Sequence, residues 1–278
     1  MSDDVLAGVT VVSLAVNVPG PVAVARLQAL GAAVTKVEPP SGDPLRLASE
    51  AWYSAVTRGQ HVEVVDLKTT AGRDRLDVLL GGADVLVTAS RTAALQRLRL
   101  DWPAVHAQFE RLCHIEVVGD TEAGDAGHDL TYQARNGLVR PPQLPAALVA
   151  DLAGAERVVT EVLSALLVRA REGRGAHRVV ALSDVAHDMA AAVRYGLTAE
   201  GGPLGGALPA YGLYRAREGW VALAALEPHF WRRLRTELGV DGSRDDLEAA
   251  FAGRTARDWE TWARERDLPL VAVAAPTP

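Results

Sequence analysis

The chain has 278 residues, 49% of them hydrophobic and 23% charged, which describes one large or two moderate globular domains and excludes intrinsic disorder. Its 29 Lys and Arg against 35 Asp and Glu give a formal charge of -6 with no basic block, so no nucleic-acid partner is expected. Cys113 is the single cysteine, which excludes an intrachain disulfide, and it lacks the spaced Cys/His partners of a zinc site. A reducing, cytoplasmic setting and no metal are expected.

The start, MSDDVLAGVT, is acidic where a signal peptide is basic, and no apolar run reaches about 18 residues without a charge. Neither export nor a membrane span is expected. VTVVSL at 9–14 reads as a buried strand, NVPGP at 17–21 as a turn, 23–30 as a helix ending at Gly31, and 33–37 as a second strand. That βαβ unit lacks the GxGxxG fingerprint, so dinucleotide binding is not supported. EPPSGDPLR at 38–46 reads as a polar loop. Strands at 61–67, 83–88, 114–118 and 178–182 then alternate with helices at 70–81, around 95–98, near 104–111, at 152–171 and at 185–197. Such alternation predicts an α/β fold with a doubly wound, largely parallel, Rossmann-like sheet covered on both faces, whose ligands collect at the carboxyl ends of the strands. Residues 1–199 make this large domain. EGGPLGGALP at 200–209 reads as a linker, and 210–278 as a smaller α+β domain with a hairpin at 211–226 and helices at 228–238, 244–252 and 255–266. Trp231, Trp259 and Trp262 read as anchors of its core.

Between 126 and 152 two ionisable groups, His128 and Asp151, bracket a segment of apolar, amide and proline residues. Histidine titrates near neutrality and a carboxylate at a helix start is tuned by burial and by the helix dipole, so the pair can supply an acid and a base. The small residues Ala150, Ala153, Gly154 and Ala155 read as marks of a pocket. The plainer alternatives stand beside this reading. Gly-His-Asp suits a capped turn, and Asp151 suits the N-cap of helix 152–171, where it stabilises by about 0.5–2 kcal/mol. Arg46, Arg58, Arg91 and His128 follow predicted strands or lie in the loops beyond them. The remaining histidines, His61, His106, His114, His177, His187 and His229, show no ligand spacing and read as structural.

Several segments carry a collinear resemblance over nearly the whole chain. LAGVTVVSL with PGPVAVARLQALGAAVTKVEPPSGDPLR, then RGQHVEVVDLK, ADVLVTASR, RLRLDW, AGHDLTYQARNGL, LPAALVADLAGAERVV and YGLYRAREGWVALAALEPHFW together resemble the family III CoA-transferase (CaiB/BaiF) superfamily, which also contains the α-methylacyl-CoA racemases. The resemblance implies that Asp151 is the family's catalytic aspartate. In the transferases that residue forms an acyl anhydride. In the racemase branch it works with a histidine, matched here by His128, which is paired with a glutamate, matched by Glu227; the plainer reading of Glu227, ahead of Pro228, is a helix cap. Arg46, Arg58 and Arg91 fall on loops that contact coenzyme A in the family, and at most two of them are expected to touch it. Coenzyme A, free or as acyl-CoA, is thus expected as part of the substrate, with no tightly bound cofactor, no membrane partner and a homodimer.

Racemising a 2-substituted acyl-CoA takes the α-proton from one face and returns it on the other, so two groups must flank that carbon. The enolate oxygen needs donors, for which backbone N–H groups at the start of the helix following Asp151 are the candidates. CoA transfer needs only a carboxylate nucleophile in a site that excludes water.

The departures from the family are specific. RGQH at 58–61 stands where relatives carry an RGKRS-like basic stretch, the glycine-rich loop before GHD is short and acidic at 119–125, and the chain stops soon after 268–273. The expected function is an α-proton-transferring racemase or epimerase. The alternatives are a CoA-transferase acting through Asp151 and a catalytically silent CoA-binding or assembly subunit.

Overall fold

The computed structural model describes residues 4–120 and 127–274. Two compact units divide between Ala190 and Ala191. In the first, β1 (Thr10–Ser13), α1 (Pro19–Ala29) and β2 (Ala33–Glu38) form the opening βαβ unit, followed by α2 (Pro44–Ala48) and α3 (Glu50–Thr57). Then come β3 (His61–Val64), α4 (Thr70–Gly81), β4 (Val85–Thr88), α5 (Thr92–Arg97), α6 (Trp102–Gln108) and β5 (Cys113–Val118). The unit closes with α7 (Asp129–Arg135), α8 (Val149–Glu172), β6 (His177–Ala181) and α9 (Leu182–Met189).

Its six strands run parallel in the order β3-β2-β1-β4-β5-β6. This is the doubly wound, Rossmann-like order, with the direction of winding reversing between β1 and β4. Adjacent strand residues face opposite sides, which explains the runs of β-branched residues. Val11 packs with Leu27 of α1 and Val158 and Val162 of α8, whereas Val12 packs with Leu76 and Leu80 of α4, Leu95 of α5 and Val105 of α6. Helix α8 is ended by Gly173 in the left-handed conformation at φ 77°, as the glycine in the sequence predicts.

Residues 44–57, which read partly as loop, form two short helices. Asp43 caps α2 by accepting the N–H of Leu45, and Ser49 caps α3 by accepting that of Trp52. The turn at 17–21 cannot cradle a phosphate. Pro19 and Pro21 remove two N–H donors, and the first turn of α1 is buried.

The second unit contains α10 (Ala191–Arg194), β7 (Tyr211–Arg215), β8 (Trp220–Ala224), α11 (Pro228–Leu238), α12 (Arg244–Phe251), α13 (Ala256–Arg264) and β9 (Leu270–Ala272). The hairpin β7–β8 gains β9 as a third antiparallel strand, and Trp259 and Trp262 are buried with Phe251 and Leu234 in its core. The domain boundary therefore falls ahead of the segment read as a linker, and helix 185–197 divides there. Residues 200–209 belong to the second unit, where Pro203–Ala207 form a π-helical turn tied by the Leu204 N–H to the Leu197 carbonyl at 2.8 Å. Glycine density there marks close backbone approach: a Cβ on Gly202 or Gly205 would collide with carbonyl oxygens of neighbouring turns. Among the described residues no helix is long and apolar enough to cross a membrane.

Candidate active site

The Gly-His-Asp segment opens a helix. His128 is the exposed N-cap of α7, its N–H donating to Thr131 Oγ1 at 3.0 Å while its carbonyl accepts the Thr131 N–H at 2.8 Å. The next residue, Asp129, is buried and reaches the head of α8. Its Oδ1 accepts the N–H of Asp151 at 3.1 Å and its Oδ2 accepts from the Gln133 side-chain amide, which also donates to the Ala147 carbonyl at 2.9 Å. One carboxylate thus holds the start of α8 against the start of α7.

That bridge settles the position of Asp151. Helix α8 begins at Val149, and its N-cap, Leu148, has no side-chain acceptor to offer. Asp129 supplies the acceptor from another helix, so Asp151 does not cap its own. It is the third residue of α8, 7% exposed, and its carboxylate makes no hydrogen bond or ion pair among the described residues. Burial and then the nearby Asp129 carboxylate lift its pKa from 3.8 to about 6. A lone, desolvated carboxylate titrating close to neutrality is suited to nucleophilic or general-base work.

Tyr132 stands one turn into α7. It is 4% exposed, and its hydroxyl is buried without a hydrogen-bond partner among the described residues. Burial, then Asp120 and Asp151, raise its pKa, which places the phenol in the electrostatic neighbourhood of Asp151. Gly119 and Gly127 make room for the ring, since a Cβ at either position would collide with it. Nothing in the sequence around Tyr132 singles out this donor. The backbone N–H groups expected to serve an oxyanion are committed instead: that of Asp151 to Asp129, and that of Leu152 to the Leu148 carbonyl at 2.9 Å. The small residues near Asp151 also differ from expectation. Ala150 and Ala155 are fully buried in the core, and Gly154 lets α8 approach Leu182, so they serve packing more than a pocket.

A second buried polar group lies under the loops leaving β1 and β2. Lys36 is completely buried, its Nζ donating to Asp43 Oδ2 at 2.7 Å and to the Ala15 carbonyl at 3.0 Å, with Glu38 Oε1 at 3.5 Å. Tyr53 donates to Glu38 at 2.7 Å, and Asp43 also accepts the Asn17 N–H at 2.8 Å. The acid ending β2 is therefore consumed internally, a further reason that no dinucleotide ribose is read here. This network fixes the start of α2, which bears Arg46, whose guanidinium lies 4.6 Å from the Tyr53 ring centre.

Arg46 follows β2 and Arg91 follows β4, both exposed beyond carboxyl ends of strands. Arg58 differs. It follows α3 and immediately precedes β3, so it lies at the amino edge, away from the end of the sheet where α8 begins. Glu227 belongs to the second unit. Its backbone forms the N-cap of α11, but its exposed side chain makes no capping bond. Of the acidic loop at 119–125, residues 121–125 lie outside the described residues.

The description of CoA-transferase family III matches residues 6–277. The chain is 29% identical over 272 residues to succinate–glutarate CoA-transferase of Agrobacterium fabrum, covering 87% of this chain and 68% of that protein. It is 28% identical over 288 residues to human α-methylacyl-CoA racemase, covering 91% and 74%. A CaiB/BaiF family protein from Brucella suis superposes with a TM-score of 0.83 at 26% identity, over 97% of this chain and 84% of that one. The doubly wound fold is what the Brucella suis structure shares with this chain. The chain belongs to CoA-transferase family III.

Proposed function

We propose that the protein is an acyl-CoA enzyme that exchanges the proton α to the thioester, a racemase or epimerase of 2-substituted acyl-CoA. The observation that carries this reading is the Asp129–Asp151 bridge. Because His128 and Asp129 are consecutive, the hydrogen bond that anchors Asp151 also brings the imidazole-bearing turn to the head of α8. In the proposed reaction the Asp151 carboxylate takes the α-proton from one face and the His128 imidazolium returns one on the other. The Tyr132 hydroxyl donates to the thioester oxygen as it becomes an enolate. Arg46 and Arg91 as contacts of the CoA phosphates, and a homodimer, complete the proposal.

The test is incubation with 2-methylacyl-CoA in deuterium oxide. The expected result is α-deuterium in recovered, intact thioester, lost in Asp151→Asn and strongly reduced in His128→Ala. A second reading, CoA transfer, is favoured by the Asp151 carboxylate having no hydrogen-bond or ion-pair partner among the described residues, as a nucleophile requires. Absence of exchange, together with a hydroxamate left on Asp151 when hydroxylamine cleaves an acyl anhydride formed there, overturns the first reading and establishes the second.

A further inference from the structure

The parallel register of β5 and β6 sets His114 directly beside His177, and Glu116 lies two residues along β5 on the same face. That face is opposite the one carrying Cys113, Ile115 and Val117, which pack toward α1 and α8, so the cluster is separate from Asp151. His114 is fully buried and Glu116 is 7% exposed, while the His177 side chain, on the edge strand, is 28% exposed. One donor atom from each, the two imidazole nitrogens and a carboxylate oxygen, falls within 4.8 Å of the others.

The hydrogen bonding within this cluster is incomplete. His177 Nε2 meets Glu116 Oε1 at 2.9 Å, and His114 Nε2 meets Thr88 Oγ1 at 3.1 Å. Among the described residues His114 Nδ1 is buried with no hydrogen-bond partner, 3.7 Å from Glu116 Oε1. In the tautomer with the ring proton on Nε2 toward Thr88, the Nδ1 lone pair faces the Glu116 carboxylate. A buried polar atom left in that state is destabilising. A cation removes the conflict. Zinc bonds of about 2.0–2.2 Å to nitrogen and oxygen set tetrahedral ligand atoms about 3.3 Å apart, which the 2.9 and 3.7 Å separations bracket.

We propose that His114 Nδ1, Glu116 Oε1 and His177 Nε2 bind one borderline d-block divalent cation, zinc being the first choice of such a donor set. The surroundings suit that task. Thr88 holds the His114 ring by its other nitrogen, as the second ring nitrogen of a metal-bound histidine is ordinarily held. Trp102 stacks on the His177 ring at 5.3 Å between centres and 6° between planes, fixing its orientation. On binding, His177 gives up its hydrogen bond to Glu116 and takes the tautomer with its proton on Nδ1. The partly open His177 side is the route of entry. The bound ion clips the edge strand β6 to β5, a structural role on the face of the sheet away from α8.

Calorimetric titration of the chelator-stripped full chain with Zn2+ tests this, with Co2+ as a spectroscopic probe. One Zn2+ per chain is expected, weakened at least about tenfold in His177→Ala and in the near-isosteric Glu116→Gln. The visible Co2+ bands are expected to disappear in the same variants. His61→Ala is the control, because the exposed His61–Glu63 pair at 2.9 Å is the obvious adventitious site. If the wild type binds no Zn2+, or binds it equally well in His177→Ala and Glu116→Gln, or loses it in His61→Ala, the proposal is overturned. None of these readouts depends on the acyl-CoA reaction.

Discussion

The Asp129 carboxylate accepts the backbone N–H of Asp151 at 3.1 Å, so one acid anchors the helix end on which the other is presented. The same proximity makes Asp129 the second cause of the raised Asp151 pKa. Replacing Asp129 by Ala removes both effects. The head of α8 loses its acceptor and the protein about 0.5–2 kcal/mol of stability. The acid limb of the pH–rate profile moves to lower pH, because only burial then opposes ionisation of Asp151. Denaturant unfolding and kcat/KM against pH check the two halves separately.

Asp151→Asn is expected to abolish activity while stabilising the fold. Its folded pKa of about 6 lies above the ordinary 3.8, so the folded state holds this proton more tightly than the unfolded chain. The carboxyl therefore costs nothing below about pH 4, the cost grows as pH rises between the two values, and it is complete above about 6. The asparagine variant should gain about 1–3 kcal/mol at pH 8 and nothing near pH 4. Equal stability of the two proteins at pH 8 would contradict the desolvation of Asp151. In the wild type, activity that needs the carboxylate should rise as pH passes through about 6.

Tyr132→Phe separates a catalytic hydroxyl from a packing one. Because the hydroxyl is buried and unpartnered among the described residues, its removal should leave stability unchanged or raise it by up to about 1 kcal/mol. If the hydroxyl meets the developing enolate, kcat falls about 10–1000-fold with KM little changed. A variant with unaltered kcat would leave Tyr132 as packing alone.

Lys36→Met should be among the most destabilising single changes in the first unit. It keeps the length of the side chain but leaves Asp43 and Glu38 buried without their cation, a loss of about 3–5 kcal/mol. Adding Asp43→Asn and Glu38→Gln removes the uncompensated charges and should restore part of that loss, which chemical denaturation of the single and triple variants would show.

The parts of the chain that were legible and those that were not divide along physical lines. Helices 70–81 and 228–238 match the sequence reading because their boundaries are local, set by Thr69 and by Pro228 and Gly239. Residues 44–57 were hidden by Pro39, Pro40 and Pro44, which read as loop although Asp43 and Ser49 cap helices there. Asp151 and His128 stood out through their motifs, but the Asp129 link between them is a tertiary contact and reads in sequence only as part of a turn. Lys36 and Glu38 share the face of Val34, and nothing local says that a loop aspartate neutralises that lysine. The His114–His177 juxtaposition arises from strand register alone, which is why neither histidine shows ligand spacing along the chain.

The arginines give the sharpest comparison, because three similar residues divide by position. Arg46 and Arg91 follow the carboxyl ends of β2 and β4, whereas Arg58 precedes β3 at the amino edge. Ligands of doubly wound sheets gather at the carboxyl edge. Arg46→Ala and Arg91→Ala should therefore each raise KM for acyl-CoA about tenfold, the worth of one charge-assisted hydrogen bond of about 1.5 kcal/mol. Both effects should shrink as salt rises, since exposed charges are screened. Arg58→Ala should leave KM unchanged. If Arg58→Ala raises KM while the other two variants do not, coenzyme A does not lie along the carboxyl edge of this sheet, and the orientation proposed for the substrate falls with it.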